Sequence, residues 1–414
     1  MLNKKFLILI LVLLALAFFG WQILQKKTGG IYIPIEERGD GDSKVVGGVV
    51  PGLSPPEGFQ ITFFAKDLPG ARVMEFDPKG RMLVTQTKEG IISLLSDEDS
   101  DGLAEKKKTL ISGLKNPHGM AWQCPSDGKT CFLYVALSDK LLRYDYDANL
   151  GAVSNETKLI DISYSSFDNH FTRSLLFLPP PDENILLISV GSSCNVCEED
   201  DADQINGHAK ILSYDLKTGK LEEYAKGLRN AVFMTLDPIF GKVFATEMGR
   251  DLLGDDIPPD EINIIEKGKN YGWPTCYGKN IHDDSFDKNT YIRNPCMEPF
   301  ETPSFVDLQA HSAPLGLSFV PEEGWPPEYW YNLLVAYHGS WNRSVPTGYK
   351  IARIKLDAKG KYLGTEDFIT GWLTRDNNKI GRPVDIKIFS GGTAFITDDL
   401  LGVVYKLSRT GNDL

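Results

Sequence analysis

The chain has 414 residues, 42% of them hydrophobic and 11% aromatic, so it can bury a substantial core. Its formal net charge of −12 argues against a nucleic-acid partner, because binding to phosphates requires clustered Lys and Arg. This length would ordinarily suggest two or three domains, but repeat folds and barrels run long as single units.

An almost uninterrupted apolar stretch runs from Phe6 to Leu24. At about 1.5 Å rise per residue, a helix of this length can just cross a hydrocarbon core of roughly 30 Å. Ala15-Leu16-Ala17 resembles a signal-peptide cleavage site, which is the alternative interpretation. The apolar run continues beyond that site, so its length favours an uncleaved transmembrane helix.

The segment after the apolar stretch is rich in Gly, Pro and charged residues, a composition typical of linkers. We therefore expect three parts: an N-terminal membrane anchor or signal over residues 1–27, a flexible linker over 28–57, and one globular domain over 58–414. The globular part shows no long amphipathic helical pattern, which points to strands.

The globular part repeats one short pattern six times: an apolar strand, a Pro- or Gly-containing turn, and two further apolar strands. The copies begin near Val73, His118, Arg173, Phe233, Leu315 and Pro383. About 60 residues per copy are enough for a four-stranded blade with its loops. We predict an all-β fold, a six-bladed β-propeller preceded by one N-terminal transmembrane helix. Two β-sandwich domains are the alternative, and the even repeat disfavours them.

The strand Phe59–Ala65 precedes the first full copy. We expect it to complete the last blade and close the ring, because closure hides the edge strands of the first and last sheets.

Six cysteines follow the apolar stretch and form close pairs in sequence. An even count with close pairs is typical of disulfides in an oxidising compartment. We predict the bridges Cys124–Cys131, Cys194–Cys197 and Cys276–Cys296. Cys194 and Cys197 could instead be a redox pair or half of a metal site, but a four-cysteine zinc site would need a second such pair. The globular body is therefore predicted to be extracytoplasmic.

Polar motifs stand beside the starts of the copies, where a propeller gathers its loops around the central channel. His170 suits proton transfer near neutral pH, and Arg229 can hold an anionic or carbonyl oxygen. Gly249 ends a predicted strand next to acidic residues, a combination that suits Ca²⁺. The structural alternatives are a hydrogen-bonded core histidine, a salt bridge between blades and a solvated acidic loop.

Taken together, these motifs resemble the glucose/sorbosone dehydrogenase family. The resemblance covers essentially everything after the linker and implies a six-bladed propeller that uses pyrroloquinoline quinone (PQQ) with Ca²⁺. It is carried by Asp168-Asn169-His170, Gly227-Leu228-Arg229-Asn230, Glu247-Met248-Gly249, Asp260-Glu261-Ile262-Asn263, Asn270-Tyr271-Gly272-Trp273-Pro274, His338-Gly339-Ser340-Trp341-Asn342-Arg343 and Gly381-Arg382-Pro383-Val384-Asp385.

The resemblance implies a role for each matching residue. His170 would be the general base that takes the proton from the substrate hydroxyl. Arg229 would stabilise charge on the quinone carbonyl oxygen, and Asn230 would support it. Asn169 and Ser193 are the residues expected beside the substrate.

Cofactor and metal ligands follow in the same way. The backbone carbonyls of Gly249 and Arg250 would hold the Ca²⁺, which acts as a Lewis acid. Arg343 and Arg382 would meet cofactor carboxylates, which match the fork of a guanidinium. His118, at the corresponding position of the second copy, is predicted to join this cofactor-binding set.

The sequence departs from the soluble glucose dehydrogenase pattern at several of these positions. Asn169 stands where that pattern has Asp, and Arg250 stands where it has Pro. Asn342 and Arg343 stand where it has Lys, and a second Arg near Arg382 is absent. The chain is therefore more similar to the sorbosone/pyranose branch.

The expected function is that of a membrane-anchored, extracytoplasmic quinoprotein, or a secreted one if the N-terminal segment is cleaved. It would oxidise an aldose or sugar aldehyde by hydride transfer to PQQ. A respiratory quinone or a redox protein would then accept the electrons. The alternatives are a calcium-dependent lactonase-type hydrolase and a non-catalytic propeller binding module.

Overall fold

The structure is a computed structural model that describes residues 50–125, 131–164 and 170–410. Within these residues the chain forms six four-stranded antiparallel sheets and one small two-stranded sheet. The first strand of each large sheet contacts the first strands of its two neighbours in cyclic order, so the sheets close into a ring. The predicted all-β, six-bladed propeller is confirmed.

The blades follow the chain in order, each beginning with its innermost strand. A strand β1 (Phe59–Ala65) comes before the first blade, which contains β2 (Ala71–Phe76), β3 (Met82–Gln86), β4 (Ile91–Ser96) and β5 (Lys106–Ile111). The second blade contains β6 (Met120–Gln123), β7 (Cys131–Ala136), β8 (Lys140–Asp147) and β9 (Ala152–Asp161). The third blade contains β10 (Leu175–Phe177), β11 (Ile185–Val190), β12 (Lys210–Asp215) and β13 (Leu221–Lys226).

The fourth blade carries a long insertion before its last strand. It contains β14 (Ala231–Leu236), β15 (Val243–Glu247), β16 (Asp260–Ile265) and β19 (Val306–Leu308), with the small hairpin β17 (Cys276–Tyr277) and β18 (Ile281–His282) in the insertion. The fifth blade contains β20 (Pro314–Phe319), a 3₁₀ turn (Pro327–Tyr329), β21 (Leu333–Tyr337), β22 (Lys350–Leu356) and β23 (Tyr362–Ile369). The sixth contains β24 (Pro383–Ile388), β25 (Ala394–Asp398) and β26 (Val403–Arg409).

The ring closes by strand exchange between the two ends of the globular part. β1 pairs antiparallel with β26, with Ile61 opposite Leu407 and Phe63 opposite Tyr405. It is the outermost strand of the sixth blade. The prediction that Phe59–Ala65 completes the last blade is confirmed.

The packed region begins earlier than the predicted domain boundary. Val50 and Leu53 are buried in the same hydrophobic cluster as Trp325 and Trp372. The backbone N–H of Ser54 donates to the carbonyl of Thr370 at 2.8 Å. The linker predicted over residues 28–57 therefore extends too far, because two apolar side chains in its last eight residues are buried on the propeller.

The predicted membrane anchor over residues 1–27 lies outside the described residues. Among the residues that the structure does describe, no helix is long and apolar enough to span a bilayer.

Burial explains why the repeats are visible in the sequence. Four of the six second strands, such as β15 and β25, are buried at every residue, and β7 and β11 at every residue but one, because neighbouring blades cover both of their faces. Each large apolar side chain buried in this way contributes roughly 1.5–3 kcal/mol. The three predicted disulfides, Cys124–Cys131, Cys194–Cys197 and Cys276–Cys296, are all present.

The pairing of the first two strands determines where polar residues meet. In each blade these strands are antiparallel, so the first begins at the ring face where the second ends. In the fourth blade Ala231 lies opposite Glu247, and in the sixth Pro383 lies opposite Asp398. Residues that precede a first strand or follow a second strand are therefore gathered at one mouth of the channel.

Candidate active site

A cavity of about 570 Å³ opens at this mouth. Among the described residues, its wall is drawn from five of the six blades and combines apolar side chains with three arginines. Representative lining residues, in blade order, are Arg72 from the first, His170 and Ser193 from the third, Arg229 from the fourth, His338 from the fifth and Arg382 from the sixth.

The structure brings six of the predicted site residues into this one wall: His170, Ser193, Arg229, Asn230, Gly249 and Arg382. They come from the third, fourth and sixth blades, so the ring gathers residues that are far apart in sequence. Asn169, predicted to lie beside the substrate, falls outside the described residues.

His170 is held in one orientation by the loop that follows β11. Its Nδ1 lies 3.0 Å from both the carbonyl oxygen and the hydroxyl of Ser192. A carbonyl can only accept a hydrogen bond, so Nδ1 carries the proton and Nε2 is the basic nitrogen. The backbone carbonyl of His170 in turn accepts a hydrogen bond from the buried Arg173, at 2.6 Å. His170 is thus arranged to take a proton through Nε2.

Arg229 is almost completely buried and is bonded on several sides. Its Nε donates to the carbonyl of Asn195 and its Nη2 to the Asn195 side chain, both at 2.8 Å. Nη2 also lies 3.0 Å from Oδ2 of Asp251. Burial lowers the pKa of Arg229, while the nearby carboxylate of Asp251 acts in the opposite direction. The guanidinium remains charged, as arginine does throughout proteins.

Two buried carboxyl groups, Asp260 and Glu247, belong to the fourth blade, and Asp260 lines the cavity. Asp260 accepts hydrogen bonds from the backbone N–H of Gly249 at 3.0 Å and of Ala313 at 2.9 Å. Burial raises the pKa of Asp260 to about 7 against these hydrogen bonds. Burial, with the neighbouring Glu261, also raises the pKa of Glu247 well above its usual range. Burial thus disfavours the charged forms of both carboxyl groups.

A second ion-pair network joins the first, fifth and sixth blades. Asp399 accepts from Nη1 of Arg72 and from Nε2 of His338, both at 2.9 Å. Arg382 donates to the backbone carbonyls of His338 at 3.0 Å and Gly339 at 2.6 Å. Burial lowers the pKa of His338 to about 4, so the imidazole is neutral at pH 7.

Sequence reasoning had not included Arg72, His338 or Asp399 in the predicted site. Their positions follow the same rule as the predicted residues: Arg72 lies at the start of β2, and His338 and Asp399 directly follow β21 and β25. Nε of Arg72 is buried without a hydrogen-bond partner among the residues described here. The position of these three residues beside strand ends could have been read from the register of the repeat.

His118 does not reach the cavity. The residue is completely buried, with Nδ1 3.3 Å from the carbonyl oxygen of Arg173 and the ring against Phe233. Burial lowers the pKa of His118 well below its usual value. The prediction that it binds the cofactor is wrong, because His118 does not line the cavity and its ring contacts Arg173 and Phe233 of the third and fourth blades.

Arg250, predicted to bind the metal through its backbone carbonyl, and Arg343 also do not line the cavity. Nη1 of Arg250 pairs with Asp283 at 2.7 Å, so this side chain lies behind the wall, and Gly249 alone of the predicted metal pair lines the cavity. The guanidinium of Arg343 donates to the backbone carbonyl of Asp255 and lies 3.2 Å from Asp256. It clamps the loop after β21 to the loop after β15, so its predicted contact with the cofactor is a second error.

The mouth of the cavity carries residues suited to a sugar. The ring of Trp341 is 67% exposed and lines the opening, offering an apolar face beside polar groups. Asn342 donates from Nδ2 to Asp251 at 3.0 Å. Its Oδ1 is buried and has no partner within the described part of the chain, so it is available to a ligand hydroxyl.

Comparison with known proteins places the chain in a family. A family model described as TrAA12-like matches residues 53–410. The chain belongs to the TrAA12-like family. The resemblance to PQQ-dependent sugar dehydrogenases expected from the motifs is thereby confirmed at the level of the family.

Individual relatives of this TrAA12-like chain cover most of its length. An uncharacterized protein of Borreliella burgdorferi is 32% identical over 376 residues, 86% of this chain and 90% of the relative. A pyrroloquinoline quinone-dependent sugar dehydrogenase of Hypocrea jecorina is 25% identical over 409 residues, 86% and 89% of the two chains. The calcium structure of the Trichoderma reesei family AA12 enzyme superposes with a TM-score of 0.72, at 22% identity, covering 87% of this chain and 98% of that one.

Proposed function

We propose that this protein is a quinoprotein oxidoreductase that oxidises an aldose or sugar aldehyde with PQQ as cofactor. The observation that carries the proposal is the cavity wall, which combines His170 with the guanidinium groups of Arg72, Arg229 and Arg382. A similar sugar dehydrogenase of Hypocrea jecorina is PQQ-dependent, which supports the same chemistry here.

The donor set fits a tricarboxylate cofactor. PQQ carries three carboxylates, and guanidinium groups recognise carboxylates through paired hydrogen bonds. Arg72 and Arg382 stand close together through Asp399 and His338, and Arg229 faces them from the fourth blade. The buried, unpartnered Nε of Arg72 is a donor that a cofactor carboxylate could satisfy.

When bound, PQQ supplies the two-electron acceptor for the hydride that leaves the sugar carbon. His170 removes the proton of the sugar hydroxyl through Nε2, because Ser192 fixes the Nδ1 proton. Arg229 directs a guanidinium into a water-poor wall, where it can stabilise negative charge on an oxygen. Trp341 and Asn342 are placed to bind and orient the sugar ring at the mouth.

Calcium is part of this proposal, with the carbonyl of Gly249 as a ligand. Gly249 lines the cavity, and its N–H is held by Asp260 at 3.0 Å. Carbonyl and carboxylate oxygens are the ligands Ca²⁺ prefers, and Asp251 supplies a carboxylate in the same wall. The calcium structure of a family AA12 enzyme with the same fold supports the assignment.

We also propose an extracytoplasmic location with membrane attachment through residues 1–27. Three disulfides favour an oxidising compartment, and the stretch from Phe6 to Leu24 has the length of a bilayer span. A respiratory quinone or a redox protein is the proposed electron acceptor.

The test is reconstitution of the purified protein with PQQ and Ca²⁺, followed by dye reduction with a panel of aldoses and sugar aldehydes. We expect PQQ binding and turnover of at least one sugar. His170→Ala should retain PQQ binding and lose about 10²- to 10⁴-fold in kcat, the range of a general base. Absence of both PQQ binding and turnover would overturn the proposal, and lactone hydrolysis without PQQ would favour the hydrolase.

A further inference from the structure

One short loop contacts both predicted catalytic residues. It runs from Ser192 to Cys197, and the Cys194–Cys197 disulfide closes its last four residues into a ring. Ser192 orients His170, and the hydroxyl of Ser192 donates to the carbonyl of Cys194 at 2.6 Å. The backbone N–H of Ser192 donates to the carbonyl of Arg229 at 2.6 Å. The loop therefore joins the third blade to the fourth at the cavity wall.

Asn195 lies inside the disulfide ring and makes the densest set of these contacts. Its backbone carbonyl and side-chain Oδ1 accept from Nε and Nη2 of Arg229, both at 2.8 Å. Oδ1 also accepts from the backbone N–H of Asp251 at 2.7 Å, and Nδ2 donates to the Asp251 carbonyl at 3.0 Å. One residue thus fixes the fork of Arg229 and the backbone of the residue that pairs with it.

If this loop changed its conformation, the guanidinium of Arg229 would move with it. Both Asn195 acceptors must face Arg229 together, which requires one backbone conformation at position 195. A cross-link that closes a ring removes alternative conformations of the enclosed segment. Among the described residues, the other two bridges enclose none that lines the cavity: Cys124–Cys131 joins β7 to the residue after β6, and Cys276–Cys296 closes part of the fourth-blade insertion.

We propose that Asn195 is a positioning residue for Arg229 and that the Cys194–Cys197 bridge maintains it in that role. This inference rests on the proposed function only in the use of PQQ as the probe. The bridge acts through geometry and takes no part in electron transfer.

The test is a set of double-mutant cycles in which the measured quantity is the dissociation constant for PQQ. Binding is monitored by tryptophan fluorescence in buffer that contains Ca²⁺. Asn195→Ala and the pair Cys194→Ser/Cys197→Ser should each weaken binding about tenfold or more, the scale of hydrogen bonds to a charged group. The control pair Cys124→Ser/Cys131→Ser should change it less than about twofold.

The decisive comparison uses an Arg229→Met background. If the loop acts through Arg229, its substitutions should have little further effect once Arg229 is replaced, because the effects of coupled residues are not additive. In the Arg229→Met protein, Asn195→Ala and the bridge substitution should each weaken PQQ binding by less than about twofold. Full additivity in that background would overturn the inference, as would an equal effect of the control pair. If the bridge variant does not fold, Asn195→Ala still tests the contact with the disulfide intact.

A protein that does not bind PQQ at all would refute the proposed function but not this inference. In that case the urea unfolding midpoints of the ligand-free wild type, the Asn195 and Arg229 single variants and the double variant are compared. Non-additive midpoints would support the positioning contact, and additive midpoints would refute it.

Discussion

The buried carboxyl of Asp385 should make the stability of the ring depend on pH. Asp385 lies on β24, and its Oδ2 accepts from the backbone N–H of Met74 on β2 at 2.9 Å. It therefore joins the innermost strands of the last and first blades. Burial raises the pKa of Asp385 from an ordinary 3.8 to about 6, although Lys387 and the Met74 N–H act in the opposite direction.

The sign follows from proton binding. Between pH 3.8 and about 6 the folded protein retains a proton on Asp385 that the unfolded chain has released, so stability falls as pH rises through this window. A shift of about two pKa units corresponds to about 3 kcal/mol. Asp385→Asn keeps an acceptor for Met74 and cannot ionise. The variant should therefore gain up to about 3 kcal/mol on the wild type between pH 4 and pH 7.5.

The assay is urea unfolding under non-reducing conditions at a series of pH values, followed by tryptophan fluorescence and extrapolated linearly. Asp357→Asn is the matched control. That carboxylate is exposed, and hydrogen bonds from the backbone N–H groups of Lys361 and Lys359 lower the pKa of Asp357. The change in the free energy of unfolding caused by Asp357→Asn should not depend on pH above pH 4. The prediction would be refuted if the difference in free energy of unfolding between Asp385→Asn and the wild type did not change with pH, or became smaller as pH rises.

Three further substitutions test the site and the ring. Arg229→Lys keeps the charge but cannot hydrogen-bond to Asn195 and Asp251 at the same time. In steady-state dye reduction, kcat for sugar oxidation should therefore fall at least about tenfold with little change in KM. An unchanged kcat would contradict the role assigned to Arg229. Arg382→Gln should weaken PQQ binding about tenfold or more in a fluorescence titration; unaltered affinity would remove Arg382 from the cofactor site. Ile61→Ala deletes a fully buried side chain of the closing strand and should cost about 2–5 kcal/mol in urea unfolding, whereas no cost would contradict closure by β1.

The propeller could be predicted because its second strands are buried on both faces. Strands such as Leu333–Tyr337 then read as continuous apolar runs that recur at regular spacing. The outer strands lack this signal. β5 (Lys106–Ile111) begins with three exposed lysines and is joined to its blade by backbone hydrogen bonds, which any sequence can make. The number of blades is thus visible in the sequence, while the fourth strand of each is not.

The site was predicted in part, and its errors share a physical cause. Arg343 and Arg382 both stand in polar motifs beside a blade start or strand end, and sequence alone does not separate them. Arg382 is held at the wall by the carbonyls of His338 and Gly339. Arg343 is drawn to Asp255 and Asp256 in a neighbouring loop. The direction of each side chain depends on contacts between blades, which a local motif does not contain.

The second blade shows why the register of the repeat names candidates but not the site itself. His118, like His170 and Arg382, precedes the first strand of its blade, yet it is completely buried. At Gly119 the second and third blades approach so closely that an added Cβ would lie 2.5 Å from the carbonyl oxygen of Arg173. Among the described residues, none of the second blade lines the cavity. Candidates that look alike in a regular repeat thus line an asymmetric cavity, because contacts between blades determine which side chains reach it.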